Sequence, residues 1–349
     1  MALWKLCLPN LDECFSSWVY RNIVKYPRVR FLLSDVHVTG SSGKYGDTIY
    51  EDPDFDIKCR YVQEVLLRLE LTEAEFSSFF EGTPGKLLPL PARRFFCPDC
   101  LRDDVARGSL PYWRKEWCRT VSVFCSKHEQ RLACIYPTFN FIERGWQAFS
   151  QIASASMGDH TGTRFYEIWS DTSLQQKVFG LTNKVLSWYL QEEGVKPDIA
   201  LPGSASVEAF DLALEIFTQA PGLYTVPGHA WYFSFACKLR FQRFRRHYPW
   251  LLENGAYEVN INQRICAVIM AGQVLGIITE NDLCEIHEKV DEFYSGFKTS
   301  AIYCYCGAGS FTSRDDFNYL LSRVLALPRS GPECFRYFIG NTIPDITWQ

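Results

Sequence analysis

The sequence has no apolar run of the ~18–20 residues that a membrane-crossing helix needs. Its longest candidate, residues 265–278, contains Gln273 and lies between Arg264 and Glu280; a buried helix or strand pair is the better reading. The opening, Met-Ala-Leu-Trp-Lys-Leu-Cys-Leu-Pro, lacks the charged start, long apolar middle and small-residue cleavage site of a secretory signal. There is no excess of positive charge: 36 Lys and Arg face 40 Asp and Glu, for a net charge of −4. Coating by nucleic acid through bulk electrostatics is therefore excluded, and any such contact has to be local or handed to a partner. No internal repeat or low-complexity tract is present. Neither a Ser-His-Asp nor a paired-carboxylate signature stands out.

What is present is a folded composition. The 349 residues suffice for two or three compact units. Apolar residues make up 47% and charged residues 22%, which argues against a disordered chain. Aromatic residues reach 15%, with 10 Trp, 18 Tyr and 26 Phe, and they predict well-filled cores. Fourteen cysteines without a secretion signal point to a reducing compartment, where cysteine pairs more often bind metal than form disulfides.

Three regions follow from the patterning, and the fold class they predict is mainly α. Residues 1–90 read as short helices. In the first, Asp12 and Glu13 precede an apolar series (Leu11, Phe15, Trp18, Val19), and Pro27 ends it. The stretch 39–54 is rich in Gly, Ser and Asp and reads as a loop. A second helix fits residues 61–71, and a third opens on a Thr72–Glu75 capping box. Residues 91–137 form a cysteine-rich insert, with a short helix expected over 110–118 and a strand at Val121 and Val123. Residues 138–349 read as mainly helical. Patterns run along Ile142, Trp146 and Phe149; from a Thr172–Gln175 capping box to near Glu193; over 206–220; over 229–246; and along Phe317, Leu320, Leu321 and Val324 behind Thr312 and Ser313 as candidate caps.

The strongest chemical signal is Cys97-Pro-Asp-Cys100, a gap of 24 residues, then Cys125-Ser-Lys-His128. Two tight turns, each offering two ligands, are what a tetrahedral zinc site requires. Three thiolates and one imidazole leave no open position, so the expected Zn2+ is structural and helps fold a segment too small for a core of its own. The gap is longer than usual ribbon spacing. A zinc deaminase needs His-x-Glu ahead of Pro-Cys-x-x-Cys and a coordinated water; here Pro98 follows the first cysteine and the only histidine ligand lies downstream.

Other matches are weaker. Gly40-Ser-Ser-Gly43-Lys44 has too few residues between its glycines for a phosphate loop, and Tyr45 follows the lysine. Cys304 and Cys306 lack a nearby second pair, and Cys118 and Cys134 read as core residues or spare ligands. Basic residues exceed acids in the insert, where Arg114 and Trp117 are candidate contact residues. Five more basic residues, Lys238, Arg240, Arg243, Arg245 and Arg246, share a stretch with no acids. That helix face contacts phosphates or an RNA-bearing partner, or else it is a solvated face whose long stems cover apolar surface.

Three segments together resemble the TniQ family of transposon target-selection proteins. The first is Pro9-Asn-Leu-Asp12-Glu13-Cys14-Phe15-Ser16-Ser17-Trp18-Val-Tyr-Arg21, with Cys14 where the family usually has Ser. The second is Phe96-Cys97-Pro98-Asp-Cys100-Leu101-Arg-Asp103 with Pro111-Tyr112-Trp113-Arg114 and Trp117. The third is Cys125-x-x-His128 followed by Leu132. The resemblance covers about the first 137 residues and leaves the rest unmatched. Many members carry another cysteine pair just after the histidine. Only Cys134 stands there in this chain, so one zinc site is expected. The resemblance implies a helix-turn-helix-like N-terminal region, a zinc-ribbon or zinc-finger insert, and a cytoplasmic, DNA-associated adaptor rather than an enzyme. Such adaptors mark a target and recruit the AAA+ ATPase TnsC. Short members dock, often as a homodimer, on an RNA-guided Cascade complex and its guide RNA; longer, TnsD-like members read target DNA directly. The chain's short length and acidic balance favour the first group, because guide pairing then supplies the sequence readout.

Overall fold

The computed structural model describes residues 6–38, 40–42, 48–80, 85–135, 140–154, 172–193, 206–223, 228, 230–231, 244–283 and 313–327. The protein is mainly helical, and the chain divides into two compact units, Met1–His160 and Thr161–Gln349. The first unit runs through both boundaries expected from sequence, at 90/91 and 137/138, so the cysteine-rich insert is built into it rather than set apart.

In the first unit, helix α1 (Phe15–Lys25) begins one residue after Cys14. Asp12 and Glu13 do not open it, as the pattern suggested. The Glu13 carboxylate is taken instead by the Arg21 guanidinium at 2.7 and 2.6 Å and by the backbone N–H of Asn10 at 3.1 Å. Tyr26 is extended, as a residue before proline must be. Pro27 both ends α1 and occupies the first turn of α2 (Pro27–Leu32), where its missing N–H costs nothing. Helix α3 (Arg60–Leu69) buries Tyr61, Val62, Val65, Leu66 and Leu69 and stops where Glu70 turns left-handed at φ 54°. The capping box ahead of α4 (Glu73–Phe80) forms as expected: Glu75 N–H donates to the Thr72 hydroxyl at 3.2 Å, and Thr72 N–H to the Glu75 carboxylate at 2.8 Å. Phe15 meets Phe76 and Phe80 edge-on, with ring centroids 5.0 Å apart in each pair. With Trp18 and Val19 these rings form the centre of an apolar core shared by α1, α3 and α4.

The segment read as a loop departs most from expectation. It holds a small antiparallel pair, β1 (Gly40–Ser42) and β2 (Thr48–Tyr50), and then sends two acids inward. Asp54 is fully buried. One of its oxygens accepts from the Ser16 N–H at 3.2 Å and the Ser16 hydroxyl at 2.6 Å; the other accepts from Arg93 at 3.1 Å and from Arg144. Arg93 also bonds Asp52 at 2.8 and 2.5 Å and the Leu88 carbonyl at 2.7 Å. Arg144 lies in α6 (Arg144–Ala153), beyond the boundary expected at 137. Next to it, a Cβ on Gly145 would stand 2.8 Å from the Pro111 carbonyl oxygen, so only glycine lets α6 approach so closely. Burial opposes ionisation of Asp54, but the Arg144 and Arg93 guanidiniums and the Ser16 hydroxyl outweigh it and hold the carboxyl below its ordinary range.

In the second unit, α7 (Thr172–Glu193), α8 (Val207–Thr218), α9 (Tyr248–Glu258), α10 (Ile261–Val274) and α11 (Arg314–Leu325) are described. Side chains cap three of these helices: the Ser206 hydroxyl caps α8, Asn260 and Gln263 close a capping box on α10, and the Ser313 hydroxyl, a cap expected from sequence, caps α11. The apolar run at 265–278 is largely the buried helix α10. Of the helix expected over 229–246, residues 229 and 232–243 lie outside the described residues. Its end is not helical: Phe244 N–H reaches back to the Pro221 carbonyl at 2.8 Å rather than up a helix. Pro249 sits in the first turn of α9. Among the described residues, no helix is long and apolar enough to cross a membrane.

Replacing Asp54 with Ala leaves the buried Arg144 guanidinium without its carboxylate and takes one partner from Arg93, and breaking such a buried pair costs about 3–5 kcal/mol. Urea denaturation of the full chain is expected to show a loss of that size. Because the folded carboxyl is held below its unfolded value, its stabilisation is present above the unfolded pKa and is lost as pH falls through the folded one. A change under about 1 kcal/mol, the scale of exposed ion pairs, contradicts the clamp.

Candidate metal centre

Four side chains from two short segments meet at one point. Strand β3 (Phe95–Phe96) leads into Cys97, which immediately precedes α5 (Pro98–Ala106); Pro98, Asp99 and Cys100 form the first turn of that helix. That helix was missed in the sequence reading, although proline at the first position followed by an acid is a helix-start signal. Strand β3 pairs antiparallel with β4 (Ala133–Cys134), matching Phe95 with Cys134 and Phe96 with Ala133. The pairing brings the second ligand turn alongside the first. In that turn Cys125 N–H bonds the Gln130 carbonyl at 2.9 Å, Glu129 N–H bonds the Cys125 carbonyl at 2.9 Å, and Glu129 is left-handed at φ 51°. The strand expected at Val121 and Val123 reduces to one isolated bridge between Phe124 and Arg131.

The ligand atoms of Cys97, Cys100, Cys125 and His128 all lie within 4.8 Å of one another, and the three cysteines are buried. His128 Nδ1 stands 3.3 Å from the Cys97 and Cys100 sulfurs and 3.6 Å from that of Cys125; the Cys100 and Cys125 sulfurs are 3.6 Å apart. A tetrahedral ion with bonds of ~2.3 Å to sulfur and ~2.0–2.1 Å to nitrogen would place sulfurs about 3.8 Å apart and sulfur and nitrogen about 3.6 Å apart. The observed edges fit that polyhedron, and the cluster can hold a metal ion.

Neighbours hold the ligands in place. His128 Nε2 faces the Asp103 carboxylate at 3.2 Å, which leaves Nδ1 for the ion. The Gln130 amide donates to the Cys97 sulfur at 2.9 Å and to Asp99 at 3.0 Å. Neither Asp103 nor Gln130 emerged as a site residue from sequence; spacing marks ligands but not the groups that orient them. Hydrogen bonds from the Cys100 and Cys125 thiols hold Cys97 well below its ordinary range. The bonds to Cys125 and Cys97 push Cys100 well above its own. An ion has to displace the remaining protons, so loading tightens as pH rises.

The expected contact residues fare differently. Arg114 is buried, bound to Asp104 at 2.8 Å and to Asp12 at 3.2 Å, with its guanidinium 4.2 Å above the Tyr112 ring. Trp117 is fully buried, edge-on to Trp113 at 5.4 Å. Both belong to the core and not to a contact surface. The helix expected over 110–118 survives only as a single 3-10 turn, Lys115–Cys118. Its first half is extended because it pairs with the start of α1: Cys14 N–H bonds the Trp113 carbonyl at 2.9 Å, and Trp113 N–H bonds the Ser17 hydroxyl at 2.8 Å. Arg245 and Arg246 are exposed in the second unit, beside a cavity of about 330 Å³ that they line with His247 and Tyr248. Lys238, Arg240 and Arg243 lie outside the described residues, as do Cys304 and Cys306. Cys134 is exposed, and Gly40 to Ser42 are strand rather than phosphate loop.

Cys97→Ser and His128→Ala are expected to lose the ion and unfold the segment around it, read by metal content and thermal melting. Asp103→Asn, which keeps the shape but weakens the orienting bond, is expected to lower metal affinity by about 10–100-fold with the fold retained. Unchanged metal content in all three variants contradicts the site.

A scan against protein-family models finds no match to this chain, and searches of curated proteins and of solved structures find none.

Proposed function

We propose that the chain is a zinc-stapled, non-enzymatic adaptor of transposition, similar to TniQ proteins, that links an RNA-guided Cascade complex to the AAA+ regulator TnsC and through it to the transposase. One observation carries the reading. The segments that bear the resemblance are far apart in sequence yet hold one another directly. Asp12 accepts from the Tyr112 hydroxyl at 3.1 Å and pairs with Arg114; Ser17 accepts from Trp113; and Arg114 in turn grips Asp104 in the metal-bearing helix. The motif residues therefore specify one structural unit. Zinc is the ion of choice for three thiolates and an imidazole in a closed tetrahedron. With every position filled by protein, such an ion holds structure and activates no water. The N-terminal helices, read as helix-turn-helix-like, and the exposed Arg245 and Arg246 supply contact surfaces.

The alternative is an autonomous TnsD-like protein that reads an attachment site in DNA. Copurification decides between them. The tagged full chain, coexpressed with Cascade, guide RNA and TnsC, is expected to capture both, and Arg245→Ala with Arg246→Ala to weaken capture of the RNA-bearing complex. Specific, steeply salt-dependent binding of duplex DNA by the chain alone supports the alternative. Capture of neither partner, with no duplex binding, overturns both.

A further inference from the structure

Cys14 and Cys118 lie outside the metal centre and play no part in the proposed function, yet their surroundings are built. Their sulfurs are 3.6 Å apart, and both residues are fully buried. They bring together the start of α1 and the 3-10 turn of the metal-bearing segment, 104 positions apart in sequence. Asp54 is close enough to make a third ligand of a second metal site, but its chemistry argues against one. Both of its oxygens are already occupied, by two donors of Ser16 and by Arg93 and Arg144. A cation there would have to displace two buried guanidiniums. The charges of Arg93 and Arg144 favour a thiolate on Cys118 against the opposing Asp54 carboxylate, while burial and the same carboxylate push the Cys14 thiol up. Arg144 keeps Nε and Nη1 without hydrogen-bond partners although fully buried. Orphan donors of that kind call for an explanation; the guanidinium lies 5.1 Å from the centre of the Trp113 ring and interacts electrostatically with both Cys14 and Cys118.

We infer that Cys14 and Cys118 are a peroxide-reactive dithiol whose oxidation to a disulfide stitches the start of the N-terminal helices to the metal-bearing segment. Cys118 is the attacking sulfur. Burial opposes its ionisation, but the hydrogen bond from Cys14 and the positive charges of Arg93 and Arg144 more than compensate and lower its pKa. The Cys118 thiolate attacks one peroxide oxygen; the O–O bond breaks, and hydroxide leaves and takes up a proton. The Cys118 sulfur is now a sulfenic acid. Cys14 gives up its proton and attacks that sulfur; the S–S bond forms, the S–O bond breaks, and the oxygen departs as water. The two sulfurs lose two electrons, the peroxide gains them, and two waters result. Full burial selects the oxidant: hydrogen peroxide is small and neutral, whereas a glutathione-sized disulfide cannot enter.

The test uses the zinc-loaded full chain, exposed in parallel to hydrogen peroxide and to oxidised glutathione, alkylated, digested without reductant and mapped by mass spectrometry. Peroxide is expected to yield a Cys14–Cys118 linked peptide lighter by two hydrogens, reversible by dithiothreitol. The crosslinked form is expected to melt at higher temperature. Oxidised glutathione is expected to modify exposed Cys134 and leave the pair untouched. In Cys14→Ala, a sulfenic-acid trap should label Cys118. The wild-type map stands alone if that variant does not fold. No linked peptide at a peroxide dose that oxidises Cys134 overturns the inference. So does a second zinc ion per wild-type chain that Cys14→Ala removes.

Discussion

A carboxylate with no exposed surface, Asp54, organises the first unit. It draws Ser16 from α1, Arg93 from the approach to the metal ligands and Arg144 from α6 onto two oxygens. Removing these charges from water is expensive, and the arrangement holds only if every partner is in place. That requirement makes distant stretches of chain interdependent. The metal ligands sit on one of those stretches, so the geometry of the centre depends on a cluster that contains no ligand.

Two fastenings thus act on one small body. The charge cluster fixes how α1 and α6 meet the cysteine-rich segment. The four-ligand polyhedron closes β3, α5 and the Cys125–His128 turn on themselves. Between them, the buried Arg114 ties Asp12 to Asp104, and the Trp113–Trp117 pair fills the space beneath. Glu13, Asp54, Arg93 and Arg114 in this interior are each committed to holding shape.

Features written in local chemistry were legible in the sequence. Capping residues at Thr72 and Ser313 marked helix starts correctly, and paired spacing picked out the four residues that meet at the candidate metal centre. Features that depend on distant partners were not. Asp52 and Asp54 looked like loop residues because polarity in a Gly- and Ser-rich stretch normally means solvent; Ser16, Arg93 and Arg144, all distant in sequence, hold them inward. Arg114 and Trp117 looked like a basic-aromatic contact patch for the same reason, since their partners Asp104, Tyr112 and Trp113 cannot be assigned from spacing. The helix expected over 110–118 failed where backbone donors were claimed by α1, a tertiary demand that overrides local periodicity.

The central claim is a sealed centre, and X-ray absorption at the zinc edge of the freshly purified full chain tests it most directly. The account predicts one ion per chain, bound by three sulfurs and one nitrogen with no oxygen in the coordination sphere. An oxygen ligand from water, or protein that is folded and metal-free, would contradict it.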